Sequence, residues 1–182
     1  MAAATLPVLL FKLPVALRYG WILLALPLAG YVCLVHGLRR QVAKEPLVAA
    51  FFAVATAMPV AVVAPEGWAF LLAAAFSFGA LCWLNCAAIA RWEWTLQEAD
   101  ACTARMGKHL AAAACGVAVC ALPLLLQARG VPLACAVITA AGLLLLLDSV
   151  RSSLEAVTLR ALADAALLTP LIVWPLAALL HR

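Results

Sequence analysis

Apolar residues in this chain come in long runs, and polar residues are confined to short stretches between them. Six runs lie near 21–38, 47–64, 68–90, 108–127, 131–148 and 157–180. Each is close to the ~20 residues that a helix needs to cross a hydrocarbon core. None alternates apolar with polar at a period of two, so barrel strands are excluded. The runs are built of Ala, Leu and Val, and helix is the remaining form that satisfies its own backbone in lipid. The pattern therefore predicts an all-α fold, a polytopic integral membrane helix bundle of six transmembrane helices. It also predicts a single domain over 1–182, with 1–20 an interfacial leader, 21–180 the bundle and 91–108 the one sizeable polar loop. No internal repeat is visible, and no clean signal-peptide cleavage site follows the apolar residues 5–17, which Lys12 and two prolines interrupt.

Composition strengthens this reading. Of 182 residues, 69% are hydrophobic and 11% charged, against about 45–50% and about 25% in soluble domains. Folding in water could not hide so much apolar surface. The net charge of +4 is spread over the loops with no basic run longer than Arg39-Arg40, which speaks against a nucleic-acid partner. Of the seven cysteines, all but Cys102 fall in or at the ends of apolar runs, where Cys is a small hydrophobe. Cys82 and Cys86 are one turn apart, but no second pair or histidine completes a metal tetrad.

Turn chemistry marks the breaks at Pro65-Glu66-Gly67 and Arg129-Gly130-Val131-Pro132, while Pro27, Pro59, Pro123 and Pro170 lie inside runs and predict kinks. Basic residues gather in alternate loops: Arg39, Arg40 and Lys44; Arg91, Arg105 and Lys108; Arg151 and Arg160. The positive-inside rule makes these loops cytoplasmic and both termini extracytoplasmic, in a multi-pass plasma (inner) membrane protein. Lys12 and Arg18 count against that orientation. Trp21 and Trp68 at one side, with Trp92 and Trp94 at the other, fit interfacial aromatic belts. Ala112, Gly116 and Cys120 form a stripe of small residues along which a neighbouring helix could approach closely.

Polar groups in lipid are costly, which makes them the candidates for function. Asn85, Ile89 and Glu93 share one helical face at a spacing of four. Acids at that spacing suit Mg²⁺ bound to a diphosphate, because Mg²⁺ prefers hard oxygen ligands. Here only Glu93 is anionic, with Asn85 offering a neutral oxygen, so the alternative is an interhelical hydrogen bond from Asn85 and an interfacial ion pair for Glu93. Arg160 and Asp164, four apart, form either a structural pair or a site facing an anionic ligand. Lys44 opens the second run, placed either to hold a phosphate or to snorkel to headgroups. His36, His109 and His181 are far apart, and no nucleophile–histidine–acid set or phosphate-binding glycine loop occurs.

The stretches KEPLVAAFFAVATAMP, LCWLNCAAIARWE and RALADAALLTPL together resemble the later helices of the UbiA superfamily of intramembrane prenyltransferases. That resemblance implies helices four to nine of a nine-helix fold, over about residues 21–180, with the site open to the cytoplasm. It also implies isoprenoid diphosphate and Mg²⁺ as ligands. Lys44 is then similar to the basic residue before the family's fifth helix, and Asn85, Ile89 and Glu93 to its second aspartate-rich segment. The first acid of that segment is an amide here and the middle one is Ile89. The first aspartate-rich segment has no counterpart, so the chain reads either as part of a longer protein or as a shortened relative.

Three functions follow as alternatives. The first is a UbiA-like protein binding an isoprenoid or other lipid, with prenyl transfer weakened by the missing acids; Glu93, Arg91 and Asp164 would then be its catalytic candidates, Lys44, Asn85 and Arg160 its substrate contacts, and Glu93 with Asn85 its metal ligands. The second is a non-catalytic assembly subunit with a membrane protein partner. The third is a small transporter subunit with Arg160 and Asp164 on the solute path. The lipid bilayer is a partner in all three.

Overall fold

A computed structural model describes residues 15–38, 44–63, 67–93 and 101–170. These form seven α-helices: α1 (Val15–Leu38), α2 (Lys44–Val63), α3 (Trp68–Trp92), α4 (Ala101–Lys108), α5 (Leu110–Ala121), α6 (Val131–Val150) and α7 (Ala156–Ala166). Short 3-10 turns follow α5 at Leu122–Leu126 and flank α6. The described residues contain no strand.

Length and apolar character qualify three helices to cross a membrane: α2, α3 and α6 with its flanking turns, Ala128–Ser153. A fourth crossing arises if α4 and α5 are counted as one bent span. This is fewer than the six expected, for identifiable reasons. The expected fourth run is broken twice, by a 103° bend between α4 and α5 and by the loss of α-helical winding at Leu122, beside Pro123. Proline has no amide hydrogen and clashes with the preceding turn, so it ends regular winding there. The sixth run begins as α7, and the rest of it from 171 lies outside the described residues. The first run is helical, with an apolar stretch at Leu17–Leu26. Its helix starts at Val15, so the last residues of the expected leader belong to α1, and 1–14 lie outside the described residues.

The centre of the bundle is α3, which packs against α2, α4, α5, α6 and α7. Its close fit with α2 depends on small residues. Ala49 and Ala53 are buried one turn apart on α2 and face Gly79 of α3. A Cβ on Gly79 would sit 3.2 Å from the Ala53 methyl and 3.8 Å from the Ala49 carbonyl oxygen. Lipid offers no hydrophobic drive between helices, so such close backbone packing supplies the attraction. The expected stripe on α5 behaves differently: Ala112 and Gly116 are exposed, and nothing lies within 4 Å of a Cβ built on Gly116.

The core itself is Leu81, Leu84 and Ala88 of α3 against Leu110, Ala114, Val117 and Ala121 of α5, with Val137, Ala140 and Leu144 of α6 closing it. Ser77, fully buried, points its hydroxyl at the Ala73 carbonyl (2.7 Å) and the Cys120 carbonyl (2.8 Å), tying α3 to α5. Beyond α7, Thr169 bonds the Ala136 carbonyl of α6 at 3.1 Å. Outward, Phe52, Phe76 and Leu146 are each about 60% exposed or more. An outer surface of this kind suits a bilayer, and the chain is a membrane protein.

The polar stretch 91–108 contains a helix, α4. Thr103 and Gly107 are buried while Ala101, Cys102, Arg105 and Lys108 are exposed, so α4 is amphipathic and packs on the end of α3. Trp83 donates its indole N–H to the Thr103 hydroxyl at 2.7 Å, fixing α4 to α3.

Candidate functional site

Charged side chains collect at one end of the bundle, where α2 and α7 begin and α3 and α6 finish. The opposite end holds the Arg129 turn. Arg129 lies over the Phe70 ring, 5.0 Å from its centroid, and Gly130 accommodates the Leu124 carbonyl where any Cβ would collide.

Two separate polar sets occupy the charged end. The first lies around Asn85 of α3. The residue is 4% exposed, and its side chain donates from Nδ2 to Oδ1 of Asp164 on α7 at 3.2 Å. The amide oxygen, Oδ1, is buried with no hydrogen-bond partner. Cys86, next along α3, is half-buried. Glu93, two turns on, ion-pairs with Arg160 of α7 at 2.5 Å. Lys44, exposed, is the first residue of α2.

Thus Asn85, Asp164, Glu93 and Arg160 do come together, but in pairs other than those the spacing suggested. Arg160 reaches across to Glu93, not along α7 to Asp164, whose partner is Asn85. The interhelical reading of Asn85 and the ion-paired reading of Glu93 describe the geometry. A Mg²⁺ clamp does not fit this donor set. The Glu93 carboxylate is paired with a guanidinium through Oε1, Ile89 has no ligand atom, and among the described residues no three acid, histidine or cysteine side chains are placed to hold a metal.

The second set centres on Asp148, near the end of α6, which sequence reasoning overlooked. One carboxylate oxygen, Oδ1, accepts from Arg91 Nε (3.0 Å), Trp92 Nε1 (2.9 Å) and Arg151 Nη1 (2.8 Å). Arg91 also donates from Nη1 to the Gly107 carbonyl at 2.8 Å, anchoring α4. Arg91 therefore serves Asp148, while Glu93 serves Arg160. A helix turns ~100° per residue, so positions 91 and 93 diverge to different faces. Trp92, expected in an interfacial belt, is 8% exposed; Trp94 lies outside the described residues. The missed signal was Asp148 itself, the carboxylate that interrupts LLLLLDSV. A charge ending an apolar run is worth asking for its partner.

An apolar groove of about 660 Å³ runs across α3 between α2 and α5, lined by Ala50, Val54, Phe76, Trp83, Gly116 and Cys120 among others. Trp83 lines it and Asn85 does not. Two residues apart, they point about 200° from each other, so the groove and the Asn85 set use opposite faces of α3.

No protein-family model, curated protein or solved structure matches this chain.

Proposed function

We propose that this chain is a UbiA-like membrane protein that binds the polar head of an isoprenoid or related lipid between the starts of α2 and α7 and the end of α3. One observation carries the reading: the Asn85 amide oxygen is buried without a partner, whereas Ser77 and Arg91 on the same helix both make hydrogen bonds. Buried polar atoms are nearly always satisfied, and an orphan acceptor is satisfied by a donor brought from outside. With the Asp164 carboxylate bonded to the same amide, the local charge favours a hydroxyl or cationic donor over a bare diphosphate. A polyprenyl alcohol fits this chemistry. The Glu93–Arg160 pair and the single-acid character of the segment support a binding protein over an active prenyltransferase. The positive-inside bias puts the charged end at the cytoplasmic face.

Isothermal calorimetry on the purified protein in detergent tests the reading. Geranylgeraniol should bind, and Asn85→Leu should weaken it by about tenfold, the order expected for one hydrogen bond to a buried acceptor. Geranylgeranyl diphosphate should bind less well, with or without Mg²⁺. Absence of geranylgeraniol binding would overturn the proposal.

A further inference from the structure

Beside the Asp148 knot, and on residues that the Asn85 set does not use, lies a second cavity of about 420 Å³. Its lining includes Arg91, Trp92, Arg151, Ser152, Leu154 and Leu159. Asp148 pulls both guanidiniums to one carboxylate oxygen and so holds them around the same space. The two arginines and Asp148 sum to one net positive charge. A guanidinium has five N–H donors. The contacts described for Arg151 engage only Nη1, and those for Arg91 only Nε and Nη1. Donors therefore remain on both, within a cavity whose other walls are Trp92, Ser152, Leu154, Ala156 and Leu159.

We propose that this cavity binds a phosphate group, its oxygens on the remaining N–H groups of Arg91 and Arg151. Planar guanidinium forks match phosphate geometry and are weakly hydrated, which suits a partly buried site. Two sources carry that chemistry, an anionic lipid headgroup and soluble inorganic phosphate. The place of the cavity favours the lipid: it opens where α6 finishes and α7 begins, and Trp92, Leu154 and Leu159 offer an apolar wall to the start of a chain.

The test uses the full chain in two settings. In nanodiscs, phosphatidylglycerol is compared with phosphatidylcholine by native mass spectrometry of retained lipid. In detergent, sodium phosphate is compared with sodium chloride at equal ionic strength by thermal unfolding midpoint. A specific ligand of the folded state must raise the midpoint. Selective retention of phosphatidylglycerol is expected, falling about tenfold in Arg151→Gln, in line with losing a charge-assisted contact. Ser152→Asp should do the same by placing an anion in the cavity while leaving the Asp148 contacts intact. Arg129→Gln, at the other end, should retain lipid as the parent does. Protection by phosphate alone, lost in the same two variants, would support the site and assign it to the soluble ion. Equal retention and equal midpoints in parent, Arg151→Gln and Ser152→Asp would overturn it. Neither outcome depends on Asn85 or on isoprenoid binding.

Discussion

Arg160 makes its ion pair with Glu93, the residue that caps the end of α3, although Asp164 stands one turn away on Arg160's own helix. The choice frees Asp164 for Asn85, so two polar links join α3 to α7. Arg160 is 56% exposed, which limits the strength of its pair. A double-mutant cycle with Glu93→Gln and Arg160→Gln, measured by unfolding in mixed micelles, should return a coupling of about 0.5–1 kcal/mol. A cycle pairing Arg160→Gln with Asp164→Asn should return about zero.

Asp148 is the stronger link, because one oxygen receives three donors, two from α3 and one from the turn after α6. Asp148→Ala should lower stability by about 2–3 kcal/mol, the range for losing charged hydrogen bonds at a partly buried site. Asp148→Asn, which keeps an acceptor, should lose less. Denaturant unfolding with both variants decides it, and stability unchanged in Asp148→Ala would contradict the geometry.

Asn85→Leu separates stability from binding. The substitution removes a buried amide with an unsatisfied oxygen, and Asp164, being exposed, can take water in its place. Stability in the absence of ligand should stay within about 1 kcal/mol of the parent, or rise, because apolar replacements of half-satisfied polar groups are often neutral. Lipid binding should fall in the same protein. A large loss of stability would mean that the amide is structural.

The α2–α3 contact can be trapped covalently. With the native cysteines replaced, Ala53→Cys and Gly79→Cys together should crosslink on mild oxidation, since their Cβ positions are 3.2 Å apart. Cysteines at 112 and 79 should not crosslink within one chain. Gly79→Leu should separate the helices and destabilise by about 1–3 kcal/mol.

Membrane sidedness is open to labelling. Single cysteines at Ala101 and Ser153 should react with an impermeant maleimide from one side, and one at Ala128 from the other. The cation bias of the loops predicts that the shared side is the cytoplasmic one. Reaction of Ala101→Cys and Ser153→Cys from opposite faces would sink the topology.

The sequence alone determined that this is a helical membrane protein and singled out Asn85, Glu93, Arg160 and Asp164, while passing over Asp148 and the bend between α4 and α5. Lipid leaves little freedom on those points: a backbone that cannot bond to water must coil, and a polar side chain in an oily run needs a reason. Partners were another matter. The spacing of Arg160 and Asp164 suggested a pair on one helix, and Arg91 beside Glu93 suggested a shared site. The folded bundle instead sent Arg160 to Glu93, Asp164 to Asn85, and Arg91 to an aspartate on α6. Helix periodicity says which residues share a face, but which helix meets that face depends on close packing of small side chains such as Ala49, Ala53 and Gly79. Ala-rich runs offer many equivalent stripes of that kind, so only the tertiary structure decides among them.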